Sequence, residues 1–251
     1  MGTIAKALQL LTHFSTDLPE IGLSQFVQLT GEDKATLHRR LGELKACGFL
    51  DQDAASRAYR LGPAISRLEI VKETTFPARR AAMEVLRKLN SQVSETVHVS
   101  VIQGDQGLST LAHIDDPSHG IRVYMDTNEL LPFHATASGL AVLAFFEKER
   151  VDKILKLGLP KFTQDTQTNA ARIRNLLIDF RKQGFARSKG GFETDVVGLA
   201  MPLFDNRNAC AGAVAIAAPS SRMDKKRVEA VLPLLQQAAN DITASWSSRA
   251  S

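Results

Sequence analysis

The sequence predicts an α+β protein made of an N-terminal winged helix-turn-helix, a linker helix, and a C-terminal antiparallel sheet with flanking helices. Two observations predict this order. Apolar residues recur at helical spacing up to residue 92, and from residue 96 onward alternating segments paired around short turns appear between helical patterns. We therefore place the three parts at residues 1–62, 63–77 and 78–251.

The N-terminal segment has the element order of a helix-turn-helix. A first helix covers residues 3–14, and a short second helix covers residues 23–29. After a turn at residues 30–33, which could cap the next helix, a third helix spans residues 35–45. Because this third helix carries threonine, histidine and arginine, the order predicts that it reads DNA.

The two sides of the third helix differ in character. Three leucines share one side at helical spacing and would face a core, while Ala35, Arg39 and Gly42 lie opposite. Small residues there would let a DNA backbone approach closely, and the arginine could reach a groove. The alternative is an ordinary amphipathic surface helix, although a solvated side would more often carry glutamate and lysine pairs.

The next segments predict a wing and a linker. Residues 49–53 and 58–62 have the pattern of two short strands around a polar tip. Pro63 stands where proline is tolerated at the start of a helix, and the apolar pattern of this linker helix ends near residue 76. A further helix over residues 78–92 has one apolar side.

The C-terminal part alternates between strand and helix patterns, beginning with a hairpin around residues 104–107. We predict strands at residues 96–102, 108–114, 196–204 and 211–217, and helices at residues 136–146, 147–157, 168–183 and 224–246. Antiparallel hairpins with the helices gathered on one side would form a sensor-like α+β domain.

Composition and charge limit the class of protein. The chain has 251 residues, is 44% hydrophobic and 23% charged, and carries a net charge of +4. It has no apolar run long enough to span a membrane, no signal-peptide pattern, and two cysteines without metal-ligand spacing, so we expect a cytoplasmic protein without disulfides. Residues 1–76 hold nine basic against nine acidic side chains, so DNA binding would depend on where the basic ones lie.

Several short motifs occur in a fixed order along nearly the whole chain. They are AKALQLL at residues 5–11, KATLHRRL at 34–41, GFL at 48–50, YRLG at 59–62, LPFHATASG at 131–139, GLAMPLFD at 198–205 and AAPSSR at 217–222. In this order they resemble the IclR family of bacterial transcription regulators. The resemblance implies a winged helix-turn-helix, a linker helix and a GAF-like effector-binding domain. It also implies homodimers or dimers of dimers that bind palindromic double-stranded operators, with small organic acids or aromatic catabolites as effectors.

The resemblance also assigns candidate DNA-binding residues. These are Lys34, Ala35, Thr36, His38, Arg39 and Arg40 on the third helix, and Arg57, Tyr59 and Arg60 in the wing. Arg39 could bond a guanine edge or a phosphate, and the wing arginines could bond adjacent phosphates. Two alternatives stay open, since Arg40 could form a structural ion pair and the ring of Tyr59 is better suited to packing.

Candidate effector-binding residues follow from the same resemblance. They are Val123, Leu131, Ala137, Ser138, Ser188, Val196, Gly198, Ala215 and Ala217. Small residues at the start of the helix near residues 134–139 would let backbone N–H groups approach a carboxylate, which the helix dipole favours. A tight loop-to-helix corner packed with small residues is the alternative.

Three departures from the family pattern bear on the effector. Leu140 replaces a usual lysine, and residues 188–191 replace an acidic run after the strand that follows Gly184, so only Glu193 keeps that pattern. Alanines 215 and 217 stand where hydroxyl residues occur in members that bind very small acids. We therefore predict an aromatic or medium-sized carboxylate. Arg187 or Lys189 could pair with its charge, although solvated positions suit both better.

Other chemistry is less well supported. If residues 105–106 form a two-residue turn, His98 lies opposite His113, near Asp115, Asp116 and His119, where a metal site can be imagined. The spacing fits no familiar ligand pattern, and unrelated surface strand residues are favoured. Ser138 and the cysteines lie outside nucleophile motifs, and no phosphate-binding glycine loop is present. We expect no cofactor and no enzymatic activity.

The sequence thus predicts a sequence-specific DNA-binding transcriptional regulator controlled by a small carboxylate effector. Two other classes stay open. One is a small-molecule sensor or enzyme whose N-terminal helices serve dimerisation only. The other is a sequence-independent architectural DNA protein, which the neutral N-terminal segment disfavours.

Overall fold

The computed structural model describes residues 2–116, 118–127 and 129–247, and the chain divides into two compact units, Met1–Pro77 and Ala78–Ser251. The division falls at the end of the segment that the sequence predicts to be a linker helix. Within the part of the chain that the structure describes, no helix is long and apolar enough to cross a membrane.

The first unit contains a helix-turn-helix and a wing. Its elements are helices α1 (Thr3–Gln9), α2 (Leu23–Thr30), α3 (Lys34–Ala46) and α4 (Pro63–Thr75), and strands β1 (Leu50–Gln52) and β2 (Tyr59–Leu61). The predicted first helix is shorter than expected, because a 3₁₀ turn, Leu10–His13, replaces its second half. Glycine at position 31 ends α2 in the left-handed conformation, with φ of 68°, and the Asp33 carboxylate caps α3 by accepting the Thr36 N–H at 2.8 Å.

A small core holds the first unit together. The antiparallel wing strands pair Leu50 with Leu61, and Tyr59 extends the sheet by a bridge to Ile21. The core is made of Leu10, Ile21, Phe26, Leu37, Leu41, Leu44, Leu50 and Tyr59. The three leucines of α3 are therefore buried as their spacing predicts, which turns the opposite side of α3 toward solvent.

The second unit is built on a five-stranded antiparallel sheet in the order β4-β3-β7-β6-β5. Its strands are β3 (Thr96–Gln103), β4 (Gly107–Ile114), β5 (Ala186–Lys189), β6 (Val196–Phe204) and β7 (Cys210–Pro219), and its helices are α5 (Ala78–Val93), α6 (Ala137–Leu143), α7 (Lys148–Lys156), α8 (Ala170–Gln183) and α9 (Lys225–Ser247). Strand β5 is missing from the elements predicted by pattern, because it has only four residues and its charged side chains alternate with Ala186 and Ser188.

Helices cover both faces of this sheet, so the expectation that they gather on one side is wrong. Helices α5 and α9 pack on the face that presents Val97, Val99 and Ile216. Helices α6, α7 and α8 pack on the other face, against alanines such as Ala213 and Ala215. Strands β6 and β7 carry near-continuous apolar runs because both of their faces are buried. The predicted fold class, a winged helix-turn-helix followed by an antiparallel sheet with flanking helices, is confirmed.

The β3–β4 hairpin pairs His98 with His113 as predicted, although by another route. The turn has three residues instead of two, since Gln103 pairs with Gly107. A register shift between Val99 and Ser100 compensates for the extra turn residue. The bulge thereby restores the pairing that a two-residue turn without a bulge would give.

Candidate DNA-binding surface and effector cavity

The exposed side of α3 presents most of the candidate DNA-binding residues of that helix. Lys34, Ala35, His38 and Arg39 are exposed, and Thr36 is half-buried beside the cap formed by Asp33. Because Leu37, Arg40, Leu41 and Leu44 face inward, this side is fixed by the packing of the helix. A glycine at position 42 lies among the exposed residues, and a Cβ added there would meet no atom within 4 Å.

The wing presents two further arginines. Its tip is held by the Asp53 carboxylate, which accepts hydrogen bonds from the Ser56 N–H and hydroxyl at 2.7 and 2.9 Å. Arg57 follows this turn in the left-handed conformation, with φ of 60°, and is exposed. Arg60 is also exposed and donates to the Asp51 carboxylate at 2.8 Å.

Two of the nine candidates do not belong to this surface. Arg40 is 6% exposed and forms an ion pair with Glu32, so the structure supports the structural alternative for this residue. Tyr59 is 2% exposed, and its ring packs edge-on against Phe26 at 6.4 Å. Both side chains are held inside the unit, which corrects their placement among the DNA-binding residues.

Replacing Glu32 with glutamine is expected to destabilise the first unit by about 1–3 kcal/mol, because the buried Arg40 guanidinium would lose its counter-charge. Urea denaturation followed by circular dichroism measures this change. The matched control is Glu43→Gln, which breaks an exposed pair and should change the free energy of unfolding by less than about 0.5 kcal/mol. Equal effects of the two variants would contradict a structural role for the Arg40 pair.

All nine candidate effector-binding residues line one cavity of the second unit. The space between the lining residues, including the part open to solvent, is about 480 Å³. Eight further lining residues were not assigned to the effector site from the sequence. They are His98, Met125, Ala135, Thr136, Gly191, Phe192, Glu193 and Ile216. Among them, His98 and Glu193 had been noticed in the sequence for other reasons.

Small residues on the sheet make room for the cavity beside α6. Ala215 and Ala217 lie on β7, and Gly198 on β6 pairs with Ala217. A Cβ at position 198 would lie 3.0 Å from the Cβ of Ala137 on α6, so glycine lets the helix and the sheet approach closely. The cavity walls at this end are therefore short apolar side chains and backbone.

Polar groups in the cavity are mostly hydroxyls already in contact with the protein. The Ser138 hydroxyl lies 3.0 Å from His98 Nε2, and the Ser188 hydroxyl donates to the carbonyl of Ala135 at 2.8 Å. Thr136 caps α6 by accepting the N–H of residue 139 at 3.0 Å. The backbone N–H groups and hydroxyls at the start of α6 can therefore donate hydrogen bonds to an acceptor on a ligand.

The charges around the cavity are acidic instead of basic. Among the described residues, no lysine or arginine lines the cavity, because Arg187 and Lys189 alternate with Ser188 on β5 and are exposed. Among the lining residues that the structure describes, Glu193 alone carries a charge, and burial together with the nearby Glu129 raises the pKa of its carboxyl. Arg187 and Lys189 therefore occupy the solvated positions that the sequence favours for them.

The two histidines near the cavity, His98 and His134, are both held by contacts within the protein. His98 is buried, and desolvation, with a smaller contribution from His113, lowers the pKa of its imidazole to about 4. His134 lies outside the cavity lining, where its Nε2 donates to the carbonyl of Pro160 at 2.9 Å. No group of three histidine, cysteine, aspartate or glutamate side chains suited to a metal ion occurs in the described ranges.

Acid is expected to destabilise the second unit through His98. Because the folded-state pKa of about 4 lies below the ordinary value of 6.5, the unfolded chain binds the proton more readily, and stability falls as the pH drops from 6.5 to 4. The full effect is at most about 3 kcal/mol. Urea unfolding of wild type and His98→Gln at pH 7.5 and 4.5, followed by the fluorescence of Trp246, should show a smaller pH dependence in the variant.

The control for this experiment is His134→Gln. Burial lowers the pKa of His134, but the hydrogen bond to Pro160 opposes that change, so most of the wild-type pH dependence should remain. Retention of the full pH dependence in His98→Gln would show that other groups cause it.

Two family models match separate parts of the chain. The model of the IclR helix-turn-helix domain matches residues 3–54, and the model described as Bacterial transcriptional regulator IclR C-terminal matches residues 73–244. The chain is also 26% identical over 237 residues to the HTH-type transcriptional regulator XynR of Escherichia coli, covering 94% of this chain and 93% of that protein.

Solved structures give the same result. A putative IclR transcriptional regulator from Silicibacter sp. TM1040 has 42% identity and a TM-score of 0.90, over 98% of this chain and 96% of its own. An IclR homologue from Microbacterium hydrocarbonoxydans in complex with 4-hydroxybenzoate has 22% identity and a TM-score of 0.80 over the whole of both chains, and shares the fold. The named relatives are transcriptional regulators, in agreement with the prediction that the chain is not an enzyme. The family matches and the helix-turn-helix architecture together establish that the chain belongs to the IclR family of DNA-binding bacterial transcriptional regulators.

Proposed function

We propose that this regulator binds operator DNA through the exposed side of α3 and the wing, and that a small carboxylate in the cavity of the second unit changes this binding. The observation that carries the proposal is the cavity itself, because all nine residues that the resemblance assigns line one partly open cavity. With DNA as its partner, the protein would act in the cytoplasm.

The lining supports an aromatic or medium-sized effector. Alanines, glycine and apolar side chains make most of the walls, which suits a planar apolar body better than a two-carbon acid. The relative from Microbacterium hydrocarbonoxydans was solved with 4-hydroxybenzoate, an aromatic carboxylate of this size. The effector's carboxylate would be held by the Ser138 hydroxyl and by N–H groups at the start of α6.

The proposal includes a homodimer or a dimer of dimers on a palindromic site. Exposed apolar side chains lie on α1 and α4, among them Ile4, Leu8, Ile70 and Val71, and a second copy would bury them. An effector controls DNA binding only if it binds one dimer geometry more tightly than another. Ligand affinity should therefore differ between the free and the operator-bound protein.

A thermal-shift screen followed by DNA binding tests the effector. The full chain is melted with benzoate, 4-hydroxybenzoate, larger aromatic acids, glyoxylate and pyruvate, since a ligand of the folded state raises the melting temperature. Operator fragments selected from random DNA then show whether a hit changes the dissociation constant for DNA. Stabilisation only by the two- and three-carbon acids would contradict the predicted effector size.

A substitution in the cavity tests whether a ligand found in the screen binds there. Ser138→Ala should weaken a carboxylate hit by roughly tenfold, because a hydrogen bond to a charged group is lost. Ser91→Ala, on the exposed side of α5, serves as the control and should bind like wild type. An unchanged dissociation constant in Ser138→Ala would exclude the Ser138 hydroxyl as a ligand of the carboxylate.

A further inference from the structure

Two arginines of the proposed DNA-binding surface already hold carboxylates. On α3, Arg39 Nη1 lies 3.0 Å from Glu43 Oε1, four residues along the helix. In the wing, Arg60 donates to Asp51 Oδ2 through Nη2 at 2.8 Å and through Nε at 3.2 Å. The guanidinium that would contact DNA therefore has an acidic partner at both places.

These pairs are exposed to solvent. The side chains of Arg39 and Glu43 are 60% and 55% exposed, and those of Arg60 and Asp51 are 50% and 47% exposed. The hydrogen bonds from Arg60, helped by the charge of Lys45, keep the pKa of Asp51 below its usual range, so this carboxylate is charged at neutral pH. Exposed pairs of this kind contribute at most about 1 kcal/mol to folding, so their main consequence concerns a ligand that competes for the arginines.

DNA phosphate is such a competitor. A phosphate that approaches Arg39 or Arg60 competes with a carboxylate for the guanidinium, and the negative charge of that carboxylate repels the DNA backbone. On DNA of arbitrary sequence, exchanging a carboxylate contact for a phosphate contact gains little free energy of binding. On a cognate site, contacts with base edges add free energy that offsets the exchange.

We propose that Glu43 and Asp51 act as acidic counter-residues that lower the affinity of the regulator for non-cognate DNA. The inference rests on the proposed DNA-binding surface and adds two specificity-determining residues to it. It agrees with the equal numbers of basic and acidic side chains in residues 1–76, because non-specific binding depends mainly on positive charge placed near phosphates.

The test measures binding of the full chain to a fluorescent duplex of random sequence at several salt concentrations. Glu43→Gln and Asp51→Asn should each tighten binding by roughly threefold, and the double variant by roughly tenfold, because a nearby negative charge is removed. The slope of the logarithm of the binding constant against the logarithm of the salt concentration should steepen by up to about one for each arginine freed for phosphate.

Glu84→Gln is the matched control. Glu84 is exposed on α5 in the second unit and forms an i,i+4 pair with Arg80, at 3.9 Å, so the variant changes the net charge equally without altering the helix-turn-helix. The inference is overturned if Glu43→Gln and Asp51→Asn bind random DNA no more tightly than Glu84→Gln does. If Asp51→Asn does not fold, Glu43→Gln alone decides, since its side chain makes only the exposed pair with Arg39 among the contacts described.

Failure of this inference can be distinguished from failure of the proposed DNA-binding surface. If Arg39→Ala binds DNA like wild type, the surface itself is wrong. If Arg39→Ala loses binding while Glu43→Gln has no effect, the surface stands and only the role of the counter-residue fails.

Discussion

Arg39→Ala is expected to weaken binding to a selected operator by roughly 10- to 100-fold, because one bidentate contact to a base or phosphate contributes about 1–3 kcal/mol. The side chain is exposed on the side of α3 opposite the buried leucines, and its contact within the protein is an exposed pair with Glu43. The free energy of unfolding should therefore change by less than about 0.5 kcal/mol. Fluorescence anisotropy with the operator and a urea titration measure the two quantities.

Arg80→Ala is the control for this prediction. Arg80 also faces a glutamate four residues along its helix, Glu84, and is exposed, but it lies on α5 in the other unit. It removes the same charge and should leave operator binding within about twofold of wild type. If Arg39→Ala retains operator affinity while the dimer persists, the N-terminal helices do not read DNA through this residue, and the dimerisation-only alternative gains support.

The exposed side of α3 was largely predictable from local sequence. Three leucines at helical spacing decide which side of α3 is buried, and the cap at Asp33 fixes where the helix begins. Arg40 was ambiguous because it lies at the border between the two sides. Its burial depends on Glu32, which precedes the helix and cannot be placed by a helical wheel.

The cavity was predictable only through the resemblance to the family. Its residues come from strands and loops that are far apart in sequence, and no spacing rule brings Val123 beside Ala215. His98 was missed although its pairing with His113 was predicted, because the sequence pattern does not show which face of β3 is covered by α6. It reaches Ser138, forty residues away, on the face that α6 covers.

Gly139→Ala is expected to destabilise the second unit by about 3 kcal/mol or more, because the added Cβ would overlap atoms that cannot move independently. That Cβ would lie 2.5 Å from the Cα and the carbonyl oxygen of Phe133 and 2.5 Å from the carbonyl oxygen of Pro132. All three are backbone atoms of the segment that leads into α6. The urea midpoint followed by Trp246 fluorescence should fall, since the single tryptophan is buried in the second unit.

Gly42→Ala is the matched control for that substitution. It also replaces a glycine inside a helix, but its Cβ would meet nothing within 4 Å, so the higher helix propensity of alanine should stabilise the first unit by about 0.5–1 kcal/mol. Changes of opposite sign in the free energy of unfolding of the two variants would show that Gly139 is needed for the close packing between residues 132 and 139. Its neighbours Ala137 and Ser138 face the cavity. If Gly139→Ala is as stable as wild type and only ligand binding is lost, the glycine is needed for the approach of the ligand instead. The sequence predicted a tight corner and an anion site as alternatives. In the expected case both would be formed by adjacent residues of one turn, because the packing of Gly139 against backbone atoms holds the start of α6 in place beside the cavity.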